Sequence, residues 1–264
     1  MQAQHIAAHD LTELPIVRRM DLPDSLTRRR AMVAGVGSVV AGSGIVYGAS
    51  TLESDQTVSR TAPVHVSSET TGLGVDLQGH AIMGSLDAPI DMYYWSDYQC
   101  PFCRRFERNA FPKLIENHVR SGTVRVVFIE FPYLGSSSMT AAVLDRCVWR
   151  QVRNSSPQAY WRWHSTLFEK QERGNSEWIS KENLFDIASN IDGIDASAVE
   201  SCASQHRPDI KQSIARDMDQ ASQFGIQATP AFVLYNRDAD AAGKIIGAQP
   251  YERFDEAITR VQNT

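Results

Sequence analysis

Ile90-Asp91-Met92-Tyr93-Tyr94-Trp95-Ser96-Asp97-Tyr98-Gln99-Cys100-Pro101-Phe102-Cys103 is the stretch on which the reading of this chain turns. It follows the turn-like run Gly84-Ser85-Leu86-Asp87-Ala88-Pro89, and its β-branched and aromatic residues predict a strand ending just before Ser96. After Cys100 the pattern changes: Phe102, Phe106 and Ala110 recur at helical spacing, continued by Leu114 and Ile115, with Pro112 expected to kink the helix. A second strand is expected over Thr123 to Phe131, whose apolar run suits a sheet interior. The order is strand, helix, strand, with a Cys-x-x-Cys at the first junction.

That junction has chemical consequences. With Cys100 at the N-cap and Pro101 at the first helical position, where its missing N–H is not needed, the Cys100 sulfur faces free backbone N–H groups. Those donors and the positive helix end favour a thiolate, so Cys100 is expected below the ordinary thiol value of about 8.5. Cys103, one turn inside, is near enough to close a disulfide and more shielded. Cys100 is therefore expected to attack and Cys103 to resolve, by exchange that needs neither metal nor organic cofactor. Exposed Phe102 beside them is a candidate contact for a peptide.

Cys147 and Cys202, 55 positions apart, complete the cysteine count. No second close pair exists to finish a four-thiolate zinc site. One close and one distant pair suggest a redox dithiol plus a Cys147–Cys202 structural bridge, which needs an oxidising compartment. Two separately buried thiols are the alternative, and geometry decides between them.

Downstream, residues 136–225 read as four or five helices, with Cys147 and Cys202 on two of them. Strand signals return at Ala231 to Tyr235 and Lys244 to Gly247, and a helix over Tyr251 to Val261 closes the pattern. Strands on both sides of the helical block fit a helical insertion within one α/β domain, about 76–264. Tyr160, Trp163, His164, Leu167 and Phe168 have the helical spacing of core packing.

Upstream, Thr27-Arg28-Arg29-Arg30 precedes nineteen uncharged residues, Ala31 to Ala49, with glycines at 35, 37, 42, 44 and 48. Residues 1–27 read as a cytoplasmic n-region and 28–49 as an export signal or membrane anchor. The segment resembles a twin-arginine signal, departing from that pattern at Ala31 and Met32. The arginines would keep the N-terminal side cytoplasmic and place the remainder outside, secreted or anchored. Residues 50–75 are rich in Ser and Thr and are expected to be a linker. At 42% hydrophobic and 22% charged the chain is globular, and a net charge of −5 recommends no nucleic-acid partner.

Gly84 to Ile90, Ser96 to Cys103, and the distant Phe224-Gly225-Ile226-Gln227-Ala228-Thr229-Pro230-Ala231-Phe232 together resemble the DsbA family of thioredoxin-fold disulfide oxidoreductases, over roughly residues 75–262. The resemblance implies a thioredoxin-like α/β fold and a cis Pro230, with Thr229 beside it, lying against the sulfurs. It also implies substrates that are exported polypeptides with free thiols or disulfides, and a further redox partner that recycles the dithiol. Pro-Phe between the cysteines lacks the His of strongly oxidising members, which implies weaker oxidising power. Tyr94 stands where several members carry a buried acid, leaving Asp97 as the nearest carboxylate, either for proton transfer to Cys103 or as a solvated turn residue. The alternatives are a reductase or isomerase on the same fold, or a non-catalytic peptide-binding module of chaperone type.

Overall fold

Every residue of Ile90–Ser96 (β3) and Val124–Glu130 (β4) is buried, and the two pair in parallel, Tyr94 opposite Phe128 and Trp95 opposite Ile129. Burial on both faces is why these segments are apolar throughout rather than alternating. The computed structural model describes residues 61–171 and 177–264. Ala231–Asn236 (β5) lies antiparallel on the other side of β3, and Ala241–Ile246 (β6) pairs with β5. Two short strands, Val64–His65 (β1) and Ile82–Met83 (β2), extend the sheet beyond β4, giving the order β1-β2-β4-β3-β5-β6.

Helix α1, Pro101–Asn109, follows β3. It does not bend at Pro112 but stops at Asn109. A short α2, Phe111–Leu114, restarts with Pro112 in its first turn, where no N–H is required, and runs into a π-turn at Ile115–Val119. Between β4 and β5 lie α3 (Ser136–Val152), α4 (Pro157–Lys170), α5 (Lys181–Ser189), α6 (Ala196–Gln205) and α7 (Arg207–Gln223), with a 3-10 turn at Glu177–Ile179. Helix α8, Tyr251–Gln262, closes the described chain. Successive strand residues point to opposite faces, so two cores form. Tyr94 packs with Phe106, Phe128 and Phe232 under the helices, while Tyr93, Trp95, Ile129 and Val233 form the other core.

Within the stretch 50–75 expected as a linker, Val64 pairs with Met83, and Thr71 and Val75 are buried. A Ser/Thr-rich composition hid those few apolar anchors. Residues 1–60, including the expected signal or anchor, lie outside the described residues, among which no helix is long and apolar enough to cross a membrane. Gly84, in the turn after β2, has φ +104°, and a Cβ there would come 2.8 Å from Val119 Cγ1 and 3.0 Å from the Val124 carbonyl oxygen, so only glycine fits.

The helices are tied to the sheet by buried charge as well as apolar packing. Arg146 on α3 donates to Glu130 of β4 at 2.5 Å, to Asp217 of α7 at 2.6 Å and to the Gly79 carbonyl oxygen at 2.7 Å. Cys147 and Cys202 are joined in a disulfide, their Cα atoms 5.7 Å apart, which links α3 to α6. Closing a loop of 55 residues stabilises the fold by about 4 kcal/mol on chain-entropy grounds. Replacing both cysteines by alanine is expected to lower the unfolding free energy by about that amount. Denaturation monitored by tryptophan fluorescence measures it, and a loss under about 1 kcal/mol would contradict the estimate.

Candidate active site

Cys100 and Cys103 are free thiols at the start of α1. Cys100 occupies the N-cap in an extended conformation with Pro101 following, while Cys103 faces inward from the first turn. Both are enclosed, Cys100 being 1% exposed and Cys103 fully buried. Phe102 between them is 50% exposed, and the Arg105 guanidinium lies 5.0 Å from its ring centre.

The Thr229-Pro230 bond is cis, and the Cys100 thiol donates to the Thr229 carbonyl oxygen at 3.3 Å across 129 residues of sequence. This contact follows from sheet register: Ala231 pairs with Trp95, so the loop before β5 meets the loop after β3. The Thr229 hydroxyl is buried without a hydrogen-bond partner of normal geometry, leaving its hydrogen for a thiolate.

The two thiols are driven apart electrostatically. Cys100 is pulled down to about 6, first by the Cys103 thiol donating to it, then by Thr229 and the backbone N–H groups of Cys103 and Phe102, against the opposing effect of burial. Burial pushes Cys103 up, and its hydrogen bond to Cys100 adds to the rise. The helix-start amides foreseen from sequence therefore contribute less than the second sulfur does.

Asp97 is buried rather than solvated. One carboxylate oxygen accepts from the Gln99 N–H at 2.8 Å, and the other from the N–H groups of Tyr133 and Leu134 at 3.1 Å each. Its influence on Cys103 comes through the backbone N–H. The side chain clamps the loop after β4 against the active-site turn, and Tyr133 and Leu134 on that loop are 40% and 43% exposed. Gln171 braces the same turn, donating to the carbonyl oxygens of Tyr98 and Cys100 at 2.6 and 3.2 Å. Tyr133, Leu134 and Gln171 escaped the sequence reading: the first two follow a strand with no periodicity of their own, and nothing local marks the third.

In the reduced protein, alkylation of Cys100 is expected to rise with pH through about 6, while Cys103 stays unreactive at neutral pH. Iodoacetamide labelling read by mass spectrometry tests this, and preferential labelling of Cys103 would reverse the assignment. Asp97→Ala strands three N–H groups and is expected to cost about 1–3 kcal/mol in the urea unfolding free energy, with the Cys100 pH profile retained.

The arrangement has relatives. Probable disulfide bond formation protein D of Bacillus cereus is 27% identical over 169 residues, covering 62% of this chain and 76% of that protein. Disulfide bond formation protein D of Bacillus subtilis is 27% identical over 161 residues, covering 61% and 70%. Oxidised BdbD from Bacillus subtilis superposes with a TM-score of 0.60 at 26% identity, over 76% of this chain and all of that one. Alpha-DsbA1 of Wolbachia pipientis shares the fold, with a TM-score of 0.60 at 23% identity, over 74% and 96%. A family profile described as thioredoxin matches residues 76–260. Cysteine pair, cis-proline loop and helical block thus fall within one matched span, and the chain belongs to the thioredoxin family as a DsbA-like thiol-disulfide oxidoreductase.

Proposed function

We propose that the protein passes disulfides, in the oxidising direction, to exported polypeptides bearing free thiols, and that a separate redox partner then reoxidises it. A substrate thiolate attacks Cys100 of the oxidised pair, Cys103 leaves, and a second substrate thiol releases the mixed disulfide. The carrying observation is the unequal pair: a Cys100 thiolate favoured at neutral pH beside a Cys103 held as thiol. Lowering Cys100 from 9.0 to about 6 stabilises the reduced protein at pH 7 by about 1.4 kcal/mol, or about 30 mV. That sign makes the disulfide a better oxidant. Substrate is gripped at Phe102, Tyr133 and Leu134, with backbone pairing along the Thr229-Pro230 edge. The arginine triplet and the apolar run after it support export, with residues 28–49 serving as signal or anchor and 76–264 as the catalytic domain.

Thiols near pKa 7 in thioredoxin and about 3.5 in DsbA accompany potentials of about −270 and −120 mV. A value of about 6 lies between them, nearer the first. The Cys100–Cys103 couple is therefore expected at roughly −200 to −250 mV when equilibrated with glutathione, and a potential at or below about −270 mV would assign the protein to reduction instead. Cys100→Ser is expected to abolish exchange. Cys103→Ser is expected to trap mixed disulfides on reducing a disulfide substrate, visible on non-reducing gels, and their absence would remove the resolving role of Cys103.

A further inference from the structure

Phe102 and Arg105 stand one turn apart on α1, so their side chains share a face, and the Arg105 guanidinium lies 5.0 Å from the centre of the half-exposed Phe102 ring. Arg105 is itself exposed. An arginine kept only for solubility would extend into water. This one is laid against an aromatic ring, which limits where its planar fork can go.

Two observations bear on its charge. Arg125, Arg146, Arg237, Arg253 and Arg260 each have a carboxylate partner, and Arg104 commits its Nε–H to the Phe168 carbonyl oxygen at 3.1 Å. Among the described residues no carboxylate pairs with Arg105. Its position also runs against helix electrostatics. The N-terminal end of a helix favours anions, yet the first turn of α1 holds no acid and Cys103 is followed at once by Arg104 and Arg105. A local rule broken beside a reactive residue is where a functional demand shows.

Arg105 lies five residues beyond Cys100, about 7.5 Å along the helix axis, a span that an extended chain covers in about two or three residues. The matching group on a docked chain is a carboxylate, which takes the guanidinium fork bidentately while its methylenes cover the Phe102 ring. The protein carries a net charge of −5, so its overall field does not draw in an acidic chain, which has to be recognised locally.

We propose that Arg105 is a specificity-determining residue of the exchange reaction, selecting polypeptides with an Asp or Glu about two or three residues from the cysteine that joins Cys100. The leading pulls on the Cys100 thiol come from uncharged donors, so the Arg105 charge acts on the docked chain rather than on the sulfur. The inference rests on Cys100 being the sulfur that substrate meets, and it holds for either direction of electron flow.

The test gives the oxidised full-length protein a set of two-cysteine peptides that differ only at the positions two and three residues from the cysteines, filled by Glu, Gln or Lys. Each oxidation rate is divided by that for dithiothreitol, which carries no carboxylate or amine. The Glu peptide is expected to react about three- to tenfold faster than the Lys peptide, with the gap shrinking in about 0.5 M salt. Arg105→Gln is expected to bring the ratio near one and Arg105→Glu to invert it, while in both the Cys100 alkylation profile still rises through about 6. Arg260→Gln, at the far end of α8, is expected to keep the wild-type ratio. Equal rates for the Glu and Lys peptides on wild type, a ratio that survives Arg105→Gln, or a Cys100 profile that moves with the substitution would overturn the proposal. Should the couple prove reducing, the same peptides in disulfide form are given to the reduced protein, and their ratio reads the specificity independently of direction. If the wild type exchanges with none of the peptides in either direction, the exchange reading itself falls and the proposal with it.

Discussion

Antiparallel pairing of Trp95 with Ala231 is the constraint on which the rest depends. It brings residues 129 apart in sequence within 3.3 Å, and it leaves little freedom in how they meet, because a one-residue slip would turn every β5 side chain to the other face. Phe232 would then leave the core it shares with Tyr94 and Phe106, and Val233 the opposite one. The sulfur chemistry is thus positioned by aromatic packing several residues away, on both sides of a sheet whose central strands never see water.

From that placement the inequality of the two cysteines follows, carried mainly by neutral dipoles and burial. The largest favourable influences on the Cys100 thiolate are a second thiol, a threonine and two amides. Neutral dipoles of this kind lower a pKa by moderate amounts, and burial opposes them. A moderately acidic thiol is what Pro-Phe between the cysteines implied, for the same physical reason: no imidazole is present to add a full charge.

Legibility in the sequence tracked how locally each feature is encoded. The passage from β3 into α1 was readable because a switch from aromatic run to helical spacing occupies consecutive residues, with Pro101 marking the boundary. The block between β4 and β5, read as four or five helices, declared itself by helical period, and five α-helices form there among the described residues. Strands of two residues have no period, so β1 and β2 were invisible and the residues around Val64 passed for linker. Asp97 misled because its partners, the amides of Tyr133 and Leu134, are 36 and 37 residues away and carry no side-chain signature.

The buried ties of Arg146 decide how the helical block moves. It holds β4, α7 and the Gly79 loop at once, while the Arg104 guanidinium grips the Phe168 carbonyl oxygen and Gln171 the Cys100 turn. Lifting the helices would uncouple buried charges, at several kcal/mol for each broken pair. The block is accordingly no hinged lid. For a substrate docking on the proposed edge of Phe102, Tyr133 and Leu134 the template is stationary, and a template that does not close would select for an unfolded, pliable chain rather than for any particular sequence.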